Sequence, residues 1–423
     1  MIGPPALAKP FYLIICPPWS RSGSSSIFAA QAEAYAGEGH ALAVLVVPHN
    51  QAHRVKHRRV WDAVVSDFTF VARQDLYFGQ TARRLRRGLC WAHFDWLRAG
   101  RDSILAVEER YARKSRIDAA LLARVRADGV ALIHVNHAFN MGVALRIARV
   151  AEEAGHGRPK IMLETHDVQA QRYTQGRQTN HLSKRVDELS LLERDESRIS
   201  GQADALIHIS EADVDHFKRA LPGRRHFLNR PTSRNQRVDS PPNTAPSIDF
   251  LFVGNAHAGN VDSIRWFLGE VMPLLSGHGL AVRIVGNVAE WFRRSSPALY
   301  GAHRALWLEE VIDLAEIYAA SRFAIVPTTT GSGASIKLIE ALAMGKHVVA
   351  TPLAVAAFAR VPGIEEAVRI GADAPQFAEE MVQLARDTDV VNRAGLALYA
   401  AHFSHECYRR RTLDIVRGVL AAP

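Results

Sequence analysis

Cysteine is scarce in this chain: Cys16, Cys90 and Cys407 are the only three among 423 residues. They lie far apart and follow no ligand spacing. This excludes a disulfide framework and a cysteine-based metal site and predicts reduced thiols in a cytosolic protein. Long apolar runs are missing as well, since none reaches the roughly 18 residues that a membrane span needs. The opening Met-Ile-Gly-Pro-Pro-Ala has neither the charged nor the long apolar region of a signal peptide. A cytoplasmic protein is the expectation. No carboxylate-rich or cysteine motif announces a resident metal; a site would have to draw on His134, His137 and His166, and none is expected.

Charge of one sign is in excess. The net charge is +9, and the stretch from His53 to Arg101 holds 11 Lys/Arg against four acids, a local balance of +7. Trp61, Phe68, Phe70, Tyr77, Phe78, Trp91, Phe94 and Trp96 are interleaved with those cations. Arginines beside aromatics suit an anionic membrane surface, with Arg83, Arg84, Arg86 and Arg87 as the contact group. The same composition also fits a solvated arginine face over inward-packed rings, or phosphate contact and stacking on nucleic acid. The membrane reading, a peripheral position on the inner face of the plasma membrane, is carried forward, and no nucleic-acid partner is expected.

The length points to two domains of roughly 200 residues each, and 48% apolar residues are enough for two cores. Phe11–Pro18 reads as a strand, Ser20–Ser26 as a small-residue loop, Ile27–Glu38 as a helix and Ala41–Pro48 as a second strand. That is the opening unit of a doubly wound sheet, with Gly23 and Ser24 at the ligand-binding end of its first strand. Val130–Asn136, Lys160–Glu164 and Ala205–Ile209 read as further strands, and Leu182–Ser200 as a charged helix. Arg230–Ser247, with Pro231, Pro241, Pro242 and Pro246, reads as a linker. A second unit follows: strand Phe250–Val253, loop Gly254–Asn260, helix Val261–Leu275, and strands Val282–Val285, Phe323–Pro327 and Val348–Thr351. The predicted organisation is a domain over 1–229, a linker over 230–247, a second domain over 248–400, and a C-terminal helix over 401–423 that could cross back to the first domain.

The most informative stretch is Gly331-Ser-Gly-Ala-Ser-Ile-Lys-Leu-Ile-Glu340, a small-residue loop that opens into a helix ending at Gly345. Its unpaired N–H groups at the positive end of a helix dipole suit a phosphate or diphosphate. Lys337 and Glu340 are three apart and share a face. The cation can meet a phosphate while the carboxylate takes hydrogen bonds from a diol such as a ribose, so one nucleotide satisfies both. An ordinary glycine-rich turn is the bland alternative.

This pattern resembles the donor-binding segment of retaining glycosyltransferases of GT-B architecture, the family 4 type (glycosyl transferases group 1) that builds bacterial polysaccharides and glycolipids. The likeness is strong over 248–352 and looser before it. It implies an α/β fold class: two Rossmann-like doubly wound domains facing across a cleft. It also implies a metal-independent, hexosyltransferase-like enzyme. Such an enzyme needs no cofactor beyond the nucleotide-diphosphate sugar it uses as donor, and its acceptor would be lipid-linked or a polysaccharide.

Carried over residue by residue, the resemblance puts Glu340 on the ribose and Ser332 where the family usually has a second glutamate. Gly333, Ser335, Ile336 and Lys337 fall on the diphosphate, and Ile312, within Glu310–Leu314, beside the base. Gly254, Asn255 and His257 occupy the loop where family members add an Arg and a Lys; both cations are absent here. A family histidine that touches the donor sugar falls on His137 or His166, with Asn136 also in reach, and His166-Asp167 could instead form a base pair for an inverting mechanism. His137, His166, Asp167 and Lys337 are therefore the catalytic candidates. Two rivals remain: a nucleotide-sugar epimerase on the same plan, and a non-catalytic subunit that binds sugar or a partner protein.

Overall fold

The structure, a computed structural model, describes residues 10–17, 19, 23–47, 68–70, 102–115, 117–175, 187–233, 246–308, 314–331 and 333–421. Two compact units result, one of Met1–Ser20, Ile27–Asn229 and Arg409–Pro423, the other of Arg21–Ser26 and Arg230–Tyr408. Each is built on its own parallel sheet.

The first sheet contains β1 (Phe11–Cys16), β2 (Leu42–Val46), β3 (Phe68–Phe70), β4 (Val130–Asn136), β5 (Lys160–Glu164), β6 (Ala205–His208) and β7 (Arg225–Leu228), in the spatial order β3-β2-β1-β4-β5-β6-β7. Because β1 pairs with both β2 and β4, the chain winds outward one way from β1 and then the other way from β4. The switch point between those two strands is where open α/β sheets bind ligands. Parallel strands covered on both faces read as unbroken apolar runs, and β1 shows why. Phe11, Leu13 and Ile15 enter the core under helices Ile104–Arg113 and Met141–Glu153, while Tyr12, Ile14 and Cys16 enter the opposite core.

That second core is closed by helix Gly23–Gly37 and by the C-terminal helix His405–Ala421, whose Leu413, Ile415, Val416 and Val419 are buried in it. Each such side chain contributes about 1.5–3 kcal/mol by leaving water. Asn229 Nδ2 donates to Thr412 Oγ1 at 2.9 Å and Arg225 to the Gly418 carbonyl at 3.0 Å, which fixes the helix in register. Its ion pairs from Arg409 and Arg417 to Glu38 are 3.5 and 3.4 Å long and partly exposed, so they add little.

The second sheet holds β8 (Ile248–Val253), β9 (Val282–Val285), β10 (Trp307–Leu308), β11 (Ser321–Val326), β12 (His347–Ala350) and β13 (Val368–Ile370), in the order β10-β9-β8-β11-β12-β13. Its switch point lies between β8 and β11, which pair in parallel.

Several boundaries differ from the sequence-based expectation. The serine-rich stretch is not loop throughout: the helix begins at Gly23, because small hydroxyl residues suit a first helical turn. The expected helix Val261–Leu275 is α-helical only over Ala258–Trp266, widens to a π-turn over Phe267–Val271 and tightens over Met272–Leu275, where Pro273 has no N–H for a regular ladder. Of the basic aromatic segment 53–101, only Phe68–Phe70 falls among the described residues, as strand β3 beside β2. Cys16 and Cys407 are free thiols, and among the described residues no helix is long and apolar enough to cross a membrane.

Candidate functional site

Two loops leave the switch point of the second sheet: Gly254–His257 after β8, and Pro327–Ser335 after β11. Two hydrogen bonds hold the latter, Thr329 N–H to Ser263 Oγ at 3.3 Å and Thr351 Oγ1 to the Thr328 carbonyl at 2.5 Å. Gly331 and Gly333 stand at φ 126° and 82°, backbone that only glycine adopts without strain. The loop feeds helix Ile336–Ala343, whose N-cap residue Ser335 makes no side-chain cap bond. Its Oγ is buried without a hydrogen-bond partner. An uncapped helix start at a switch point is a place for an anion.

Lys337 and Glu340 stand on this helix within electrostatic range of each other. Burial pulls the Lys337 pKa down to about 8, against the opposing pull of Glu340, and its Nζ lies 5.8 Å from the centre of the Phe252 ring. Tyr318, on helix Leu314–Ala319, hydrogen-bonds Glu340; burial and that carboxylate together hold the phenol well above its ordinary pKa, so it stays a donor. A carboxylate has about four acceptor positions, so it can accept from more than one donor at a time. Phe252 and Tyr318 were not anticipated from the sequence. Each reads there as an apolar core residue, and only the fold brings them to this helix.

The Gly254 loop is knitted into itself rather than open. Asn255 Oδ1 accepts from His257 N–H at 3.2 Å and Asn260 Nδ2 at 2.9 Å, and Asn287 Oδ1 takes the Ala256 N–H at 2.6 Å. His257 caps helix Ala258–Trp266 by accepting from Gly259 N–H at Nδ1, 3.3 Å away. Capping through Nδ1 places the ring proton on Nε2. A Cβ at Gly254 would come within 2.6 Å of the Phe252 ring, and one at Gly286 (φ 111°) within 2.3 Å of the Gly254 carbonyl. Both positions thus keep β8, β9 and Phe252 at contact distance.

A second cluster lies at the carboxyl ends of β4 and β5 in the first unit. His137 and His166 take positive φ, 66° and 62°, values uncommon outside glycine and an indicator of functional constraint. Their rings stack at 4.3 Å, and Phe139 stacks on the other face of His137 at 5.1 Å. Beneath them runs a buried polar network. Gln31 Nε2 donates to Asn136 Oδ1 and to Glu164 Oε2, both at 2.9 Å, and Asn136 Nδ2 returns a bond to Gln31 Oε1 at 2.9 Å. His166 Nε2 meets Asn136 Oδ1 at 2.8 Å, and His134 links Tyr35, at 2.7 Å on Nδ1, to Glu164, at 3.2 Å on Nε2.

The electrostatics follow from this geometry. Burial works to raise the Glu164 pKa, but the His134 hydrogen bond, the neighbouring His166 and Gln31 outweigh it and the carboxyl lies below its ordinary value. Burial depresses His166 to about 4, against Glu164. At neutral pH the ring is therefore neutral, donates from Nε2 to Asn136, and leaves Nδ1 as an acceptor without a partner among the described residues. A base that weak suits receiving a hydrogen bond from a sugar hydroxyl better than removing its proton.

The structure corrects the pairing of His166 with Asp167. Asp167 instead accepts from Gln169 and lies 4.0 Å from Arg172, while the carboxylate near His166 is Glu164, also 4.0 Å away. Burial raises Asp167 to about 6. Nor do the histidines converge on a metal. Both His134 nitrogens are engaged, and among the described residues no three His, Cys, Asp or Glu side chains are placed to hold one. Gly23 and Ser24 begin helix Gly23–Gly37. Ile312 and Ser332, with Glu310 and Asp313, lie outside the described residues.

Residues 247–387 match the family model described as Glycosyl transferases group 1. No curated protein matches the sequence. Solved structures match along nearly the whole chain. Sucrose-phosphate synthase from Thermosynechococcus elongatus aligns with TM-score 0.67 at 15% identity, covering 98% of this chain and all of that one. Anabaena HepE with UDP bound gives 0.62 at 11% over 96% and 100%. A UDP-glucosyltransferase from Polygonum tinctorium gives 0.54 at 13% over 98% and 100%. The fold is that of the two-domain GT-B glycosyltransferases.

Proposed function

We propose that the protein is a glycosyltransferase that moves a hexose from a nucleotide-diphosphate donor to a lipid-linked or polysaccharide acceptor, with retention of anomeric configuration. In such a step the bond from the anomeric carbon to the diphosphate breaks and the bond to the acceptor oxygen forms on the same face. The acceptor proton passes to the departing phosphate oxygen. The protein's task is to position the partners and offset charge. Lys337 and the uncapped helix start take the growing negative charge on the diphosphate in place of a metal ion, and Glu340, oriented by Tyr318, takes the ribose hydroxyls. Neutral His166 and its stacked neighbour His137 receive sugar hydroxyls. The pKa of His166 and its separation from Asp167 favour this role over that of a general base, which supports retention over inversion.

The observation that carries the reading is the pairing of Lys337 with Glu340 on the helix that starts at the β8/β11 switch point. Its test is donor binding and turnover in Lys337→Ala and Glu340→Gln. A hydrogen bond to a charged group is worth about 1.5–3 kcal/mol, so Glu340→Gln should weaken the donor roughly 10- to 150-fold with the fold intact by circular dichroism. Unchanged turnover in both variants would sink the assignment. A non-catalytic sugar-binding subunit is the second reading, favoured by the cation-free Gly254–Asn260 loop; it predicts donor binding without transfer to any acceptor. The membrane-facing location is part of the proposal and rests on the composition of 53–101 alone.

A further inference from the structure

On the first unit, helices Ile104–Arg113, Met141–Glu153 and Leu189–Ser200 line a cavity of about 370 Å³. Arg110, Arg113, Arg146, Arg149 and Arg198 line it, and its acids are Asp102 and Glu109. Five guanidinium groups therefore face two carboxylates. One of those is already committed, since Asp102 holds Arg110 at 2.5 Å. Glu109 forms the floor, 8% exposed, and a Cβ on Gly142 would come within 1.9 Å of its Oε1, so the glycine is what admits the carboxylate beneath the arginines.

The remaining cations are only partly satisfied. Arg146 donates to the carbonyls of Arg113 and Ser115 at 2.8 and 2.7 Å, and Arg198 leans on Asp195 at 3.6 Å. Arg113 has Glu109 as its electrostatic neighbour. Arg149 has no hydrogen-bond or ion-pair partner among the described residues. Held around one concavity, like charges repel, and an anion that enters relieves them all. Guanidinium forks match phosphate oxygens two at a time, and a cavity of this volume is in the range that holds a small ligand.

We propose that this arginine-lined cavity is a binding site for a phosphate monoester or diphosphate, separate from the donor site on the second unit. The site shares no residue with either cluster described above, so it does not depend on the glycosyltransferase reading. The phosphate could belong to a soluble metabolite or to a lipid headgroup.

The experiment titrates inorganic diphosphate by calorimetry into full-length Lys337→Ala, in which the donor site is weakened. One saturable site is expected, at least tenfold weaker when Arg113→Gln and Arg149→Gln are added. It should be tighter with Glu109→Gln, which removes a negative charge at constant size against Gly142. The arginine double variant alone should keep wild-type nucleotide affinity. No binding by Lys337→Ala, or undiminished binding by the variant that also lacks both arginines, would overturn the proposal. Should that variant fail to fold, phenylglyoxal modification of the wild-type chain replaces it. Diphosphate should protect Arg113 and Arg149, and absence of protection refutes the site. Competition with vesicles containing phosphatidic acid then assigns the source. Displacement of diphosphate identifies a lipid headgroup, whereas displacement by soluble phosphate esters alone identifies a metabolite.

Discussion

The sharpest consequence of the donor cluster is a pH dependence that the diphosphate should feel. Lys337 has its pKa drawn down to about 8 by burial, with Glu340 pulling the other way. Around pH 7 about nine-tenths of these lysines carry a proton, and around pH 9 about one-tenth do, by simple titration about that value. A nucleoside diphosphate binds the protonated form, and its charge holds the proton on once bound. Affinity then scales with the protonated fraction of the free protein. The dissociation constant for UDP should rise about tenfold from pH 7 to pH 9, which is about 1.4 kcal/mol. The terminal phosphate of the nucleotide, with a second pKa of about 6, is already ionised through this window and adds little slope.

Isothermal titration of wild type and Lys337→Arg at pH 7, 8 and 9 reads this directly. Arginine stays charged throughout, so Lys337→Arg should bind with a flat profile. A flat wild-type profile, or a slope in Lys337→Arg equal to that of wild type, would refute the placement of the diphosphate on Lys337.

Three further outcomes follow from the buried groups. Glu164→Ala should cost about 1–3 kcal/mol in urea unfolding, because it removes the acceptor that His134 and Gln31 share; an unchanged unfolding midpoint would mean that the carboxylate does not anchor this network. Gly286→Ala places a Cβ 2.3 Å from the Gly254 carbonyl at φ 111°. It should lower the melting temperature and weaken the donor together, whereas wild-type behaviour in both assays would show that the β8–β9 approach is slack. For acid stability, His166 has a folded pKa of about 4 against the ordinary 6.5. The unfolded chain therefore takes up a proton that the folded one refuses, and stability falls as pH drops from about 6.5 to about 4, by up to about 3 kcal/mol. His166→Gln should flatten that part of the curve, and an unaltered slope would exclude His166 as its source.

The fold was legible where the physics is local. β4 and β5 begin and end where the apolar runs do, since parallel strands buried on both faces leave continuous hydrophobic stretches. The short strands β7, β10 and β13 were not legible: two to four residues such as Trp307–Leu308 form a strand only because a neighbouring edge is available to pair with. The helix after β8 was misjudged for a related reason, as hydrophobic periodicity does not register the missing N–H of Pro273.

The site divides along the same line. Lys337 and Glu340 share a face because three residues on a helix always do, so their pairing needed no tertiary knowledge. Asn255 and His257 stand in the loop where the family adds its two cations, and local turn chemistry claims the Asn255 oxygen and the His257 Nδ1, a competition that short polar side chains at helix starts usually win. The histidine network depends on distance that sequence does not encode. Gln31 and Asn136 are 105 residues apart and Tyr35 and His134 are 99 apart, yet each pair is in hydrogen-bond contact. Gln31 and Tyr35 lie four apart on a helix whose alanine-rich pattern marks it as packing. Burial sets the state of His166, and its polar neighbours prove to be Asn136 at 2.8 Å and Glu164 at 4.0 Å rather than the adjacent Asp167. His166 lies beyond the last residue of β5 and at φ 62°, so strand alternation does not reach it and only the turn geometry separates it from Asp167.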